Sequence, residues 1–187
     1  MANRQETQRM LDLTCAMWDD PQVYFYQDLN FAPEGVPSVF FVGPSSRQDI
    51  LEYKWRAFAH HYVRKAGYTG VIYVPEPRNN DWSFKDTFPM KIVEWESVRV
   101  LACTLVMSYS FRHEVQLPGR MTSTENAFLA GMAYAAPEKF RDRFVICHPE
   151  GSWKASSEKH WVSGIGGIKS FTDLELTCQH VAARLQT

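Results

Sequence analysis

Thr104-Leu105-Val106-Met107-Ser108-Tyr109-Ser110-Phe111 and, past Arg112, Leu117-Pro118-Gly119-Arg120-Met121-Thr122-Ser123-Thr124-Glu125 form the stretch that decides the fold. The first run is apolar, β-prone and of strand length, so it reads as a buried strand. Pro118-Gly119 then turns the chain. Thr122, with Glu125 three residues on, carries the capping-box pattern, which predicts a helix starting at Thr122. Ala127, Ala130, Gly131 and Ala133 give that helix small residues with which to lie close on a sheet. Glu125 is thereby expected in the first helical turn, where orphan N–H groups and the positive end of the macrodipole favour an ionised carboxylate.

The same alternation extends to both sides. Val39-Phe40-Phe41-Val42 reads as a buried strand that runs into Gly43-Pro44-Ser45-Ser46-Arg47. Leu51, Trp55, Phe58, Ala59 and Tyr62 mark a helical face that stops at Gly67. Val71-Ile72-Tyr73-Val74 is a strand ended by Pro75-Glu76-Pro77, which cannot continue a ladder. A helix starting near Thr87, with Phe88, Ile92, Trp95 and Ala102 on its buried face, leads to the Thr104 strand. Phe144-Val145-Ile146-Cys147 is a further strand, residues 150–169 read as loop, and Ser170 to Asp173 open a last helix. Strands alternating with helices imply βαβ units, a mostly parallel sheet and helices on both faces. Right-handed crossovers put the loops after the strands on one edge, where ligands bind in open α/β sheets. Residues 1–35, with a short amphipathic helix and Val23-Tyr24-Phe25-Tyr26 as a strand or aromatic patch, read as an N-terminal extension on a single α/β domain, 36–187.

The chain has 187 residues, 45% hydrophobic and 14% aromatic, enough for a full core. Lys+Arg 20 against Asp+Glu 21 gives a net charge of −1, so no global field draws the protein to bulk nucleic acid or an anionic membrane. Cys15, Cys103, Cys147 and Cys178 lie far apart without a C-x-x-C pair, as buried free thiols in a reducing compartment do. The start Met-Ala-Asn-Arg-Gln-Glu has no apolar core of a signal peptide and no run is long enough to span a bilayer; a cytoplasmic protein is expected.

No nucleotide-binding glycine fingerprint or P-loop is present, since Gly164-Ile165-Gly166-Gly167 fits neither. No H-x-x-x-H or G-x-S-x-G spacing points to a metal site or a serine hydrolase. Gly43, Pro44, Ser45, Ser46 and Arg47 offer backbone N–H groups, hydroxyls and a guanidinium to a sugar or phosphate, or form a turn and helix cap. Tyr73 and Trp95 are candidates to stack on a base, and Glu76 and Glu96 are the carboxylates expected to share the edge with Glu125. Arg112, Gly119, Thr122 and Ser123 complete the expected substrate contacts around the loop.

In order along the chain, Gly43-Pro44-x-x-Arg47, Trp55-Arg56, Gly70-Val71-x-x-Val74-Pro75-Glu76, Trp95-Glu96 and Leu117-Pro118-Gly119-x-x-Thr122-x-x-Glu125 resemble the nucleoside 2-deoxyribosyltransferase-like superfamily, in its branch with a Leu-Pro-Gly loop. The likeness runs from about Val39 to Phe128. It implies a flavodoxin/Rossmann-like three-layer sandwich and cleavage of the N-glycosidic bond of a nucleoside or nucleotide. Glu125 matches the family nucleophile that attacks C1′, giving a glycosyl-enzyme resolved by a free base acceptor or by water. No cofactor is implied, and a homo-oligomer is. Where the family carries an Ala-Asp-x-Ile pattern, this chain has Ala102-Cys103-Thr104-Leu105. Ser123 replaces an asparagine two positions before the nucleophile, and Asn126-Ala127 replace Phe-Gly after it. With the aspartate missing, Glu76 or Glu96 is expected to act as acid/base. The other readings are a nucleotide-binding or sensing module without turnover, and an NAD-type glycohydrolase.

Overall fold

The computed structural model describes residues 4–44, 54–81, 89–110, 120–149, 164 and 167–186. Strands β1 (Val23–Phe25), β2 (Ser38–Val42), β3 (Val71–Val74), β4 (Leu105–Tyr109), β5 (Phe144–Cys147) and β6 (Lys169–Phe171) form one sheet in the order β1-β3-β2-β4-β5-β6, every pair parallel. From β2 onward this is the flavodoxin-like order, with β1 added beside β3. The order reverses between β2 and β4, so the crevice for a ligand opens past Val42 and Tyr109.

A parallel sheet needs cover on both faces, which explains why the sequence shows continuous apolar runs rather than alternation. Every residue of β2, β3, β4 and β5 is buried. Val39, Phe41, Met107 and Val145 meet α1 (Arg4–Asp19), α2 (Trp55–Lys65) and α6 (Leu174–Leu185). Phe40, Val42, Val106 and Ile146 meet α3 (Pro89–Ala102) and α4 (Arg120–Ala135). A short helix, α5 (Pro137–Phe140), follows α4.

The N-terminal segment read as an extension supplies the edge strand. Met10 and Met17 of α1 are buried against the core, and β1 pairs with β3 from Val23 opposite Ile72 to Phe25 opposite Val74. The turn between α1 and β1 is tied to α2 through Asp20, whose carboxylate lies 2.8 Å from His60 Nε2 and 2.8 Å from Arg64 Nε. The reading of 150–169 as loop is corrected at its end, where Lys169 begins β6, a three-residue and partly exposed strand that carries no apolar signal. Asp173 then caps α6, accepting the Leu176 N–H at 2.8 Å. Two helical faces also differ from expectation. On α4, Asn126, Leu129, Ala130 and Ala133 are buried, while Ala127 and Gly131 face out; on α3, Trp95 and Arg99 are buried and Ala102 is exposed.

Because Phe25 is 1% exposed, Phe25→Ala is expected to cost about 3–5 kcal/mol in urea unfolding, as truncation of a core aromatic does. A cost below about 1 kcal/mol would show that β1 is peripheral to the fold.

Candidate active site at the switch point

Where β2 ends, the chain approaches β4 closely. A Cβ on Gly43 would lie 2.5 Å from Trp55 Cζ2 and 2.7 Å from the Tyr109 carbonyl oxygen, so only glycine fits between the two strand ends. The Trp55 ring stacks on Tyr109 with centroids 5.0 Å apart and an interplanar angle of 10°, and its Nε1 donates to the Pro44 carbonyl at 3.0 Å. Gly43 and Pro44 therefore belong to a fixed turn.

Arg56, next along α2, is 2% exposed. Its Nη2 donates to the Gly43 carbonyl at 2.7 Å, its Nη1 to the Pro44 carbonyl at 2.8 Å and its Nε to the Phe41 carbonyl at 3.4 Å. Nη1 also pairs with Glu76 Oε1 at 2.5 Å, in the turn after β3. Glu76 is thus at the expected edge, but as the buried counter-ion of Arg56 rather than as a carboxylate open to a substrate.

The two remaining carboxylates come from the opposite layer. Glu125 lies in the second turn of α4, because the helix already includes Arg120 and no acidic residue stands in its first turn. Thr122 is accordingly inside the helix and 1% exposed, so the capping box expected there does not form. The next residue, Asn126, is fully buried and its Oδ1 accepts from Ser108 Oγ of β4 at 2.6 Å, which anchors this turn of α4 on the sheet. Glu96, on α3, is partly buried and lies close enough to Glu125 for their charges to repel.

This setting reverses the expected electrostatics of Glu125. Burial, and then the neighbouring Glu96 carboxylate, push its pKa from 4.5 up to about 8 against the opposing pull of Arg56. Glu96 is pushed up to about 7 by burial, again opposed by Arg56. A helix N-terminus acts only within its first turn, so it does not offset desolvation one turn further in. The neighbouring charges couple the two groups, and both hold their protons more tightly than ordinary carboxylates do. Oε2 of Glu125 is buried and accepts no hydrogen bond, a rare state that leaves an acceptor unused inside the site.

Tyr73 and Trp95 do not join this cluster. Tyr73 is 1% exposed, accepts the Ala32 N–H at 2.6 Å through its hydroxyl, and lines a groove with Ser38 and Thr104 at the N-terminal edge of the sheet. Trp95 is 6% exposed, donates from Nε1 to the Asp28 carbonyl at 3.0 Å and lies under the Arg99 guanidinium. Both are core aromatics with satisfied polar ends. Cys103 precedes β4 at that same N-terminal edge, and burial lifts its thiol to about 12, so it is no acid for chemistry at the other end of the strand. Ser45, Ser46, Arg47, Arg112 and Gly119 lie outside the described residues; Ser123 belongs to α4.

Sequence reasoning missed Arg56 as a site residue, and also Ser108, Asn126, Ser110 and His148. Ser110 Oγ and His148 Nδ1 are 2.6 Å apart at the ends of β4 and β5, both buried. The signal for Arg56 was available: Arg56, His60 and Val63 follow at helical spacing on the buried stripe of α2. Among the described residues no group of three His, Cys, Asp or Glu is placed to hold a metal ion, and no helix is long and apolar enough to cross a membrane.

No protein-family model matches the chain, and no curated protein matches it. Among solved structures it is similar to a conserved protein from Enterococcus faecalis V583, at 16% identity and a TM-score of 0.54, over 80% of this chain and 99% of that one. At this identity the likeness shows the fold alone.

The raised carboxylates set a pH dependence of stability. A carboxyl that binds its proton more tightly folded than unfolded contributes stability below about pH 4.5, lost as the pH climbs through its folded value. This contribution is lost between pH 5 and 8.5, opposing the gain from His60 and His180, whose proton affinity burial lowers, so Glu125→Gln is expected to raise the melting temperature at pH 8 relative to the parent by more than at pH 5. A parent and variant with parallel curves would contradict the assignment.

Proposed function

We propose that the protein cleaves the N-glycosidic bond of a nucleoside or nucleotide, with Glu125 as nucleophile and Glu96 as acid/base. The observation that carries this reading is the placement of two partly buried carboxylates, Glu96 of α3 and Glu125 of α4, within electrostatic reach of each other and of Arg56 at the switch point of a flavodoxin-like sheet. The reaction needs one carboxylic acid and one carboxylate, and two neighbouring carboxyls of raised proton affinity can supply both.

In the first step, protonated Glu96 gives its proton to the departing base as the Glu125 carboxylate attacks C1′. The C1′–N bond breaks, its electron pair leaves with the base, and a glycosyl ester of Glu125 forms. In the second step, the Glu96 carboxylate takes a proton from water or from the N–H of a second base. That nucleophile attacks C1′, the ester breaks, and Glu125 returns to a carboxylate. Water as acceptor makes the enzyme a hydrolase, and a second base makes it a transferase.

By these affinities the proton rests on Glu125, the more basic of the two, in the empty site, and the scheme has it pass to Glu96 as positive charge develops on the sugar. A carboxylate that is costly to ionise in the empty site gains most from the positive charge that develops on the sugar. Arg56, with two carbonyls and Glu76 already on its Nη atoms, is placed to hold the site together rather than to take part in bond making. We take a nucleoside or nucleotide as substrate, a free base as optional acceptor and a homo-oligomer as the working form. The cysteine pattern supports a reducing, cytoplasmic setting.

The test is base release and base exchange, followed by chromatography, on deoxynucleosides, nucleoside monophosphates and NAD. Glu125→Ala is expected to abolish release, and Glu96→Gln to slow it by about 10²–10⁴-fold, the usual worth of a general acid. A bell-shaped pH profile is expected for the parent, its basic limb flattened in Glu96→Gln. If every substrate stays intact with the parent while one of them raises its melting temperature, the reading fails in favour of a binding module.

A further inference from the structure

Arg56 forms and breaks no bond in the scheme above, yet it is where the strand ends converge. Its acceptors come from three places: the end of β2 at Phe41, the turn beyond it at Gly43 and Pro44, and the turn after β3 at Glu76. Its guanidinium carbon lies 4.6 Å from the centre of the Trp55 ring, and Trp55 in turn stacks on Tyr109 at the end of β4. Three neighbouring strands are thus tied through one side chain and its indole neighbour. A lysine has the charge but not the planar fork, and cannot reach these acceptors together.

We propose that Arg56 is the positioning residue of this site: clamped by the carbonyls of Phe41, Gly43 and Pro44, it holds the turn after β2 and presents a fixed positive charge to Glu96 and Glu125, while Glu76 limits how much of that charge the pair feels. Among the described residues, the cation bearing on the pair is Arg56, from the α2 layer, and the carboxylates are the pair's own, from α3 and α4, and Glu76, which reaches the pair through its ion pair with Arg56. Glu76 stands beside Arg56, and Lys54 lines a small cavity with both. The buried Arg56–Glu76 pair is then a regulator of proton affinity across the sheet. It makes a charge balance, rather than a single acid, the property that sets the working pH.

This inference rests on the glycosidic reading only for its kinetic arm, so the decisive readout needs no substrate. In protein labelled with ¹³C at glutamate side-chain carboxyls, the Glu96 and Glu125 signals are assigned with Glu96→Gln and Glu125→Gln and titrated by NMR. Arg56→Gln is expected to raise both midpoints by about one pH unit, the effect of losing a nearby opposite charge. Glu76→Gln is expected to lower them. Arg56→Lys is expected to keep the midpoints close to the parent's while base release falls by about 10-fold or more, since the charge stays and the geometry does not. Opposite shifts cannot come from a general loosening of the fold. Midpoints that do not move in folded Glu76→Gln, or that move the same way in Glu76→Gln and Arg56→Gln, would overturn the proposal. If Arg56→Gln gives no folded spectrum, Glu76→Gln decides alone: a downward shift supports the role and an unmoved midpoint overturns it. Opposite shifts without base release from any protein would leave the positioning role standing and remove the glycosidic one.

Discussion

A buried guanidinium at the C-terminal edge of the sheet is the constraint on which the rest of the site depends. Arg56 is taken out of water almost completely, a state that proteins tolerate only where hydrogen bonds and a counter-ion surround the charge. Three carbonyls and Glu76 do so here, and each requirement propagates into the sequence. The carbonyls of 43 and 44 turn toward α2, which brings Gly43 within touching distance of Trp55 and Tyr109 and excludes any side chain there. Glu76 must follow β3 directly, and Pro75 and Pro77 on either side stop the strand at that point. Removing one partner of such a pair typically costs about 3–5 kcal/mol, because the other is left buried and alone.

The second layer of the site obeys a competition between burial and charge. For Glu125, desolvation and the Glu96 carboxylate act on one side and Arg56 on the other, and the first two are stronger. The helix macrodipole, worth roughly 0.3–1 kcal/mol near a terminus, does not enter at the second turn. The balance leaves carboxyls that hold their protons well above the usual carboxylate range and that become easier to ionise when positive charge arrives. Asn126 keeps this arrangement in place from below by accepting the Ser108 hydroxyl, so that α4 cannot slide on β4 without breaking a buried hydrogen bond.

The parts of the fold legible in the sequence are those governed by continuous burial. Val39 to Val42, Val71 to Val74 and Phe144 to Cys147 are strands because a parallel sheet covered on both faces demands unbroken apolar runs. Lys169–Phe171 escaped because an edge strand with one covered side and three residues has no pattern to show. Glu125 and Glu96 were legible as edge carboxylates, but their proton affinity was not. Thr122-x-x-Glu125 has the spacing of a capping box, and only tertiary placement reveals that α4 begins earlier and buries the threonine. Tyr73 and Trp95 illustrate the same limit. An aromatic side chain reads alike whether it awaits a base or fills a core, and hydrogen bonds to Ala32 and Asp28 from the distant 28–32 segment determine which.

The most direct test of the glycosidic account is capture of its covalent intermediate. A 2′-fluorinated nucleoside slows both steps by destabilising positive charge at C1′, so the glycosyl ester should accumulate long enough for intact-mass and peptide mass spectrometry. The account predicts a single sugar adduct on Glu125, accompanied by one equivalent of released base and absent from Glu125→Gln. Base release with the adduct on another residue, or with no adduct while Glu125→Gln retains activity, would contradict it.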